Sequence, residues 1–240
     1  MKYAVVTGGT KGIGKQIALD LLKRGFFVIT NFSQDGEAAE KASLEFSKIS
    51  KDFEVWPCDQ SVIGSVYEFI DNIRLRAKTV DCIICNTGRT LRKQLTSITD
   101  SEWEAVFTVN VHSHFYIIRN LDDLLTSGSK IIFTGSILGE LPHATSLAYG
   151  VTKSAVHALA KNLVKEYQGR NVTVNVIAPG FVETEWQSEK PKEIRDSINS
   201  KTALGRFATV EEISKGCMML LENDFINGAV LAIDGGYNFK

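Results

Sequence analysis

The chain has 240 residues, of which 44% are hydrophobic and 23% charged, and its formal net charge is −1. This composition supports a substantial core and excludes a disordered chain, and the lack of a basic excess argues against a nucleic-acid-binding protein. No apolar run approaches the roughly 18 residues that a membrane-spanning helix needs, and the opening stretch MKYAVVTGG reaches glycine too soon for a secretory signal. We therefore expect a cytoplasmic protein that binds neither nucleic acid nor membrane.

Short apolar, β-branched runs alternate with longer amphipathic stretches along the chain. The sequence predicts strands at 3–6, 26–31, 53–56, 80–85, 130–135, 172–178 and 229–233, and helices near 12–24, 36–49, 61–77, 100–126, 147–168 and 209–222. Several strand candidates are apolar at nearly every position, as expected for strands buried on both faces. This alternation indicates right-handed βαβ units, and so one α/β domain over 1–240 with about seven parallel strands and helices on both faces.

The first predicted strand runs directly into the glycine-rich stretch TGGTKGIG, at 7–14, and then into the first predicted helix. Glycines permit a tight turn and a close approach of backbone N–H groups to a pyrophosphate, whose charge the helix N-terminus favours. The alternative is a turn that merely needs flexible backbone. The order of strand, glycine turn and helix favours a nucleotide site.

Two of the four cysteines, Cys82 and Cys85, form a Cys-x-x-Cys pair, a spacing found in redox and metal sites. They lie in the predicted strand at 80–85, where side chains three positions apart point to opposite faces. No second Cys or His pair completes a zinc site. We interpret them as buried core thiols and predict no metal site.

Tyr149 and Lys153 lie four residues apart at the start of the predicted helix at 147–168, so they share one face. A free tyrosine has a pKa of about 10, too high for efficient acid–base work near neutrality. A nearby ammonium favours the phenolate and lowers that pKa. The pair is therefore a candidate proton donor with its tuning cation, although Tyr-x-x-x-Lys alone is common on helix surfaces.

Further motifs occur in a fixed order with these two. They are CNTG at 85–88, VNV at 109–111, TGS at 134–136, APGFVET at 178–184 and IDGG at 233–236. With TGxxxGxG and YxxxK, this ordered set resembles the short-chain dehydrogenase/reductase family over essentially the whole chain. The resemblance implies a Rossmann-type doubly wound sheet and an enzyme that interconverts a ketone and a secondary alcohol. It also implies a catalytic set of four residues, Asn110, Ser136, Tyr149 and Lys153.

The same resemblance implies a nicotinamide dinucleotide. An acidic residue at the end of the second strand selects NAD; Phe32 stands at that position, and Lys11 resembles the basic residue of phosphate-preferring members. NADPH is therefore expected in preference to NADH, although a loop could bring Asp35 to the ribose, where it would oppose this preference. The implied cofactor contacts are Gly8, Thr10, Lys11, Gly12, Ile13, Gly14, Asn31, Ser33, Asp59, Gln60, Asn86, Thr87, Gly88, Tyr149, Lys153, Pro179, Gly180, Val182 and Thr184.

The substrate is less constrained. The stretches ALGRFATVEEI and NGAVLAIDGGY resemble 3-oxoacyl-[acyl-carrier-protein] reductases of fatty acid biosynthesis, which implies a 3-oxoacyl thioester and an acyl carrier protein as partner. Arg170 matches one basic docking position, but Ser127 replaces the usual arginine at another, with Asp122 and Asp123 nearby. Because charge complementarity governs such encounters, a steroid, sugar or other secondary alcohol stays open. A nucleotide sensor without turnover would have a damaged catalytic set.

A polar segment at 184–208, with a short helix predicted after Pro191, interrupts the strand–helix alternation; we call it the lid segment, since it resembles the substrate lid of the family. Trp186 within it either lines a pocket or packs the lid. His143 lies where substrate-pocket residues fall in the family, whereas His112 and His114 are interpreted as structural or interface residues. Family members commonly pair the helices at 100–126 and 147–168 across a twofold axis, which implies a homotetramer.

Overall fold

The computed structural model describes residues 1–144, 146–188 and 190–239. Its strands are β1 (Lys2–Val6), β2 (Phe26–Phe32), β3 (Phe53–Pro57), β4 (Val80–Cys85), β5 (Leu125–Thr134), β6 (Thr173–Pro179) and β7 (Val230–Ile233). Its helices are α1 (Gly12–Lys23), α2 (Gly36–Ser47), α3 (Ile63–Arg76), α4 (Asp100–Phe107), α5 (Ser113–Leu121), α6 (Leu147–Glu166), α7 (Glu185–Ser188), α8 (Lys192–Lys201) and α9 (Val210–Glu222).

The seven strands form one sheet in the order β3-β2-β1-β4-β5-β6-β7, and every neighbouring pair is parallel. The strand order reverses between β1 and β4, because the chain first builds outward to β3 and then returns to the middle of the sheet. This arrangement confirms the predicted doubly wound fold. Ligands of such sheets bind outside the carboxyl ends of the strands at the reversal point.

Each face of the sheet carries its own apolar cluster. Val5, Ile83 and Phe133 lie in the cluster on one face, and Val6 and Ile84 lie in the cluster on the other. Alternate residues of the central strands therefore point into different cores, which explains why these strands are apolar at almost every position.

The Cys-x-x-Cys pair is divided between these two cores. Cys85 packs in one cluster and Cys82 in the other, and both are free thiols with no exposed surface. The prediction of buried core thiols is confirmed. Within the described residues, no group of three or more His, Cys, Asp or Glu side chains could hold a metal ion. None of the helices in the same residues is long and apolar enough to cross a bilayer.

The predicted helix at 100–126 differs from the observed structure. It is broken by a π-helical turn, Thr108–His112, and it ends early because β5 begins at Leu125 rather than at 130. Leu125 pairs with Val80, and the register then shifts before the regular ladder resumes. Ser129 stabilises this register shift, because its hydroxyl accepts a hydrogen bond from the Thr126 N–H at 3.0 Å and donates one to the Val80 carbonyl at 2.8 Å.

The lid segment leaves and rejoins the body at one point. The Ala208 N–H donates to the Phe181 carbonyl at 2.9 Å, and the Glu183 N–H donates to the Ala208 carbonyl at 2.8 Å. Both ends are thereby fixed beside the carboxyl end of β6. The helix predicted after Pro191 is α8, and Glu189 of the lid segment lies outside the described residues.

Candidate active site

The turn between β1 and α1 is shaped by glycines that cannot be replaced without strain. Gly8 and Gly12 have φ of +64° and +50°, in the left-handed region. A Cβ at Gly14 would lie 2.4 Å from the Gly8 carbonyl oxygen. Among the described residues no side chain caps the N-terminus of α1, so its first N–H groups face the turn, where an anion such as a diphosphate is favoured.

The opposite wall of this turn is the segment after β4. The N–H groups of Asn86 and Thr87 both donate to the Thr7 hydroxyl, at 2.8 and 3.0 Å. His114 lies behind, with Nε2 3.1 Å from the Thr87 carbonyl oxygen. Burial lowers the pKa of His114 to about 3, so the neutral ring uses Nε2–H as the donor. His114 therefore has the structural role predicted for it.

Thr87 itself presents a polar group that the described part of the chain does not satisfy. Its Oγ1 is buried without a hydrogen-bond partner there, and the residue lines the cleft next to Gly8. A buried hydroxyl left without a partner is unfavourable. A bound molecule with a ribose or phosphate oxygen would satisfy it, so this wall fits a nucleotide.

Ser136, Tyr149 and Lys153 come together at the carboxyl end of β5. Ser136 follows the strand, and its hydroxyl hydrogen-bonds the Tyr149 side chain. Lys153 is 2% exposed, and its Nζ donates to the Thr134 carbonyl at 2.6 Å while lying 5.5 Å from the centre of the Tyr149 ring. Two residues one helical turn apart on α6 thus face one strand end.

The ionisation of this pair differs from the sequence-based expectation. Burial raises the pKa of Tyr149 to about 12, and the hydrogen bond from Ser136 opposes this only in part. Burial also lowers the pKa of Lys153 to about 8. The expected lowering of the Tyr149 pKa by Lys153 is therefore not observed, because desolvation of the phenolate dominates and the ammonium is directed at the Thr134 carbonyl.

Asn110 lies in the π-helical turn and has no exposed surface. Its Oδ1 accepts from the Arg89 N–H at 2.7 Å, and its Nδ2 donates to the Arg89 carbonyl and to the Thr152 hydroxyl, at 2.9 and 2.8 Å. A Cβ placed on Gly88 would lie 3.5 Å from Lys153 Nζ and 3.7 Å from Asn110 Oδ1. Asn110 is thus near Lys153, but its direct contacts fix the loop after Gly88.

Most of the candidate residues line one cleft. The predicted members are Gly8, Lys11, Gly12, Ile13, Asn86, Thr87, Gly88, Ser136, Tyr149, Lys153, Pro179, Gly180, Val182 and Thr184. Sequence reasoning missed Thr134, Gly135, Glu185 and Gln187 as lining residues; the first two directly precede Ser136, and the other two belong to the lid segment. Trp186, left open by the sequence, therefore lines the cleft, with 59% of its surface exposed.

The other candidates lie behind or beside this cleft. Asn31 is buried and supports the glycine turn, because its Oδ1 accepts from the Gly8 N–H at 3.1 Å. The Asp59 carboxylate accepts from the Ser61 N–H and hydroxyl, and its pKa is lowered by those bonds and by one from Ser33 against the effect of burial.

Three further candidates do not line the cleft. Thr10 and Gln60 are buried, and Gln60 Nε2 is 3.3 Å from the Ser113 hydroxyl. His143 is exposed and does not line the cleft either; its Nδ1 is 2.9 Å from the Ala144 carbonyl oxygen.

Lys11 connects three parts of the site. It forms an ion pair with Asp35, at the start of α2, and its Nζ lies 3.8 Å from Glu185 of the lid segment. Its hydrogen bond to Asp35 holds the pKa of that carboxyl below its usual value. The side chains of Lys11 and Asp35 are 42% and 48% exposed, so a ligand can reach both.

Known proteins resemble this chain over nearly its full length. A family model described as enoyl-(acyl carrier protein) reductase matches residues 8–238. A 2-dehydro-3-deoxy-D-gluconate 5-dehydrogenase of Pseudoalteromonas atlantica is 31% identical over 98% of this chain and 95% of its own length. The 3-oxoacyl-[acyl-carrier-protein] reductase FabG of Salmonella typhimurium is 31% identical over 98% of this chain and 96% of its own.

A solved structure extends the likeness to three dimensions. A short-chain dehydrogenase from Burkholderia cenocepacia, determined in complex with NADP, superimposes with a TM-score of 0.93 and is 25% identical. The match covers 99% of this chain and 98% of that one.

Proposed function

This chain belongs to the short-chain dehydrogenase/reductase family, and on that premise we propose that it is an NADPH-dependent oxidoreductase interconverting a ketone and a secondary alcohol. The observation that carries the proposal is the cleft, which Ser136, Tyr149 and Lys153 share with a glycine turn suited to a diphosphate. Residues 1–240 are proposed to form one nucleotide-binding domain, over which the lid segment covers the substrate.

Tyr149 is proposed as the proton donor. Bound NADPH supplies a hydride, and the oxygen that gains negative charge then needs a proton. With its pKa raised to about 12 by burial, the Tyr149 hydroxyl keeps its proton near neutrality and is in the donor form required for reduction. Ser136, already hydrogen-bonded to it, would polarise the substrate oxygen.

Lys153 and Asn110 are proposed to support this step. A Lys153 ammonium held on the Thr134 carbonyl, 5.5 Å from the Tyr149 ring centre, would stabilise the phenolate left after proton transfer. Asn110 would position the backbone at Gly88 and Arg89, beside the place where the cofactor ribose is expected.

The proposed cofactor contacts follow the geometry of the cleft. The turn at 8–14 would hold the diphosphate, Asn86 to Gly88 the ribose, and Pro179 to Thr184 the nicotinamide end. Ser33, Asp59, Tyr149 and Lys153 are further members of the proposed contact set, whereas the buried Thr10, Asn31 and Gln60 would support the cofactor site from behind the cleft. NADPH is favoured over NADH by Lys11 and by the absence of a carboxylate at Phe32, and the relative from Burkholderia cenocepacia binds NADP.

A 3-oxoacyl thioester is the substrate that we propose first, because the Salmonella relative reduces the carrier-bound form. Carrier docking is less well supported, since Arg170 is engaged by Asp122 through two hydrogen bonds of 2.8 and 3.0 Å and Ser127 bonds to Asn171. The second candidate is oxidation or reduction of a sugar acid or another small secondary alcohol. This candidate is favoured by the absence of a free basic patch at these two positions and by the likeness to the 2-dehydro-3-deoxy-D-gluconate 5-dehydrogenase.

The test is NADPH oxidation with an acetoacetyl thioester, with NADH in parallel. We expect turnover by the wild-type protein and a loss of at least about 100-fold in Tyr149→Phe, with NADPH binding retained. Tyr116→Phe, the same change on α5 outside the cleft, is the control. Turnover unaffected by Tyr149→Phe would refute the proton donor, and binding without thioester turnover would favour the sugar-acid candidate.

Assembly as a homotetramer is also proposed. Exposed apolar side chains lie on the two helices that family members pair: Phe115 on α5 is 40% exposed, and Leu147 and Val151 on α6 are 42% and 39% exposed. A monomer at micromolar concentration in light scattering would count against it. The cytoplasmic location stays a prediction from the sequence.

A further inference from the structure

The ion pair between Lys11 and Asp35 lies beside the glycine turn, where the 2′-phosphate of NADPH is proposed to be recognised. Asp35 follows β2 by three residues and is the N-cap of α2, with its Oδ1 accepting from the Ala38 N–H at 3.0 Å. Its other carboxylate oxygen pairs with Lys11 of the glycine turn. The cation that would select a 2′-phosphate is therefore already engaged by a carboxylate.

The charges around Lys11 oppose a second anion. Asp35 and Glu185 are both within ion-pair distance of its Nζ, so one cation faces two carboxylates. A 2′-phosphate arriving here has to displace Asp35 from Lys11 or share the ammonium with it. Either course weakens the charge-assisted hydrogen bond that Lys11 could otherwise give to the phosphate.

We propose that Asp35 is a specificity-determining residue that competes with the 2′-phosphate for Lys11 and so narrows the preference of this protein for NADPH over NADH. The inference rests on the proposed nicotinamide-dinucleotide function. NADH lacks the 2′-phosphate, and its ribose hydroxyl neither needs Lys11 nor is repelled by Asp35. Neutralising Asp35 therefore strengthens NADPH binding without strengthening NADH binding.

The experiment compares the dissociation constants of NADPH and NADH, measured by calorimetric titration, in the wild type and in Asp35→Asn. Asparagine keeps an oxygen for the Ala38 N–H, so the N-cap of α2 is preserved. We expect NADPH to bind up to about fivefold more tightly, the upper range for an exposed ion pair. The gain should shrink at high ionic strength, because both side chains are exposed.

Two further variants separate competition from general charge effects. Glu37→Gln removes the same charge two residues away, and within the described residues Glu37 has no ion pair with Lys11; it should leave the NADPH-to-NADH ratio unchanged. In a Lys11→Gln background, Asp35→Asn should give a smaller gain. Asp35→Ser, with another good N-cap residue, replaces Asp35→Asn if thermal melts show that asparagine disturbs α2.

The outcomes are distinct. The proposed competition is refuted if Asp35→Asn changes the dissociation constants of NADPH and NADH equally, or changes neither. It is also refuted if the change in NADPH affinity is the same with and without Lys11. A wild-type protein that binds neither nucleotide overturns the proposed function as well.

Discussion

Replacing Lys153 with methionine should stabilise the fold at neutral pH while abolishing turnover. Lys153 is 2% exposed, and burial lowers its pKa from an ordinary 10.5 to about 8. At pH 7 the side chain is still mostly charged in the folded protein. The folded state therefore carries a buried ammonium that the unfolded state exposes to water, and this ammonium destabilises the fold.

The magnitude follows from the two pKa values. The difference between 10.5 and about 8, at about 1.36 kcal/mol per pH unit, corresponds to about 3 kcal/mol of lost stability below pH 8. Between those values the unfolded chain binds more protons, so stability rises with pH across that window. Removing the amine also leaves the buried Thr134 carbonyl without this hydrogen bond, which costs about 1–3 kcal/mol, so the net gain is at most about 2 kcal/mol.

The assay is urea denaturation, without nucleotide, of the wild type and Lys153→Met at pH 7 and pH 10. The variant should be more stable at pH 7, and most of its advantage should vanish at pH 10, where the wild-type lysine is neutral when folded. Taking the difference between the two proteins cancels most of the contribution of other titrating groups. Lys161→Met, an exposed lysine two turns along α6, is the matched control and should show no such pH dependence.

A difference in stability between the variant and the wild type that is the same at pH 7 and pH 10 would refute the reasoning that Lys153 is a desolvated cation. Activity in Lys153→Met would separately refute its proposed support of Tyr149. If Lys153 destabilises the fold but is required for turnover, it is an example of the trade-off between stability and activity.

Two other substitutions and one labelling experiment test the structure. Gly14→Ala places a Cβ 2.4 Å from the Gly8 carbonyl oxygen and should lower the free energy of unfolding by about 1–3 kcal/mol; an unchanged urea midpoint would contradict the tight turn. Thr209→Ala removes the capping box of α9 and should cost about 1 kcal/mol, which Thr209→Ser should largely spare in the same measurement. The four cysteines are buried, with the pKa of Cys58 raised to about 11 by burial, so they should react with a disulfide reagent only as the protein unfolds; rapid labelling of the native protein would show that a thiol is accessible.

Patterns within short stretches of sequence were sufficient to predict much of the fold and most of the residues of the site. The period of two in a strand sends Cys82 and Cys85 into separate cores, and the helical period puts Tyr149 and Lys153 on one face. Glycines before the first helix predict the tight turn that Gly8 and Gly12 form. Each of these properties depends on residues that are close in sequence, so the sequence by itself determines it.

Contacts between distant segments decided the rest. The sequence predicts one helix over 100–126, yet the pairing of Leu125 with Val80 starts β5 early. The pKa of Tyr149 rises because tertiary packing partly buries its side chain. Lys11 pairs with Asp35 because β1 and β2 are neighbouring parallel strands, so the loops that follow them lie side by side at the same edge of the sheet. Desolvation and ion pairing depend on which surfaces meet in space, and no short stretch of sequence contains that information.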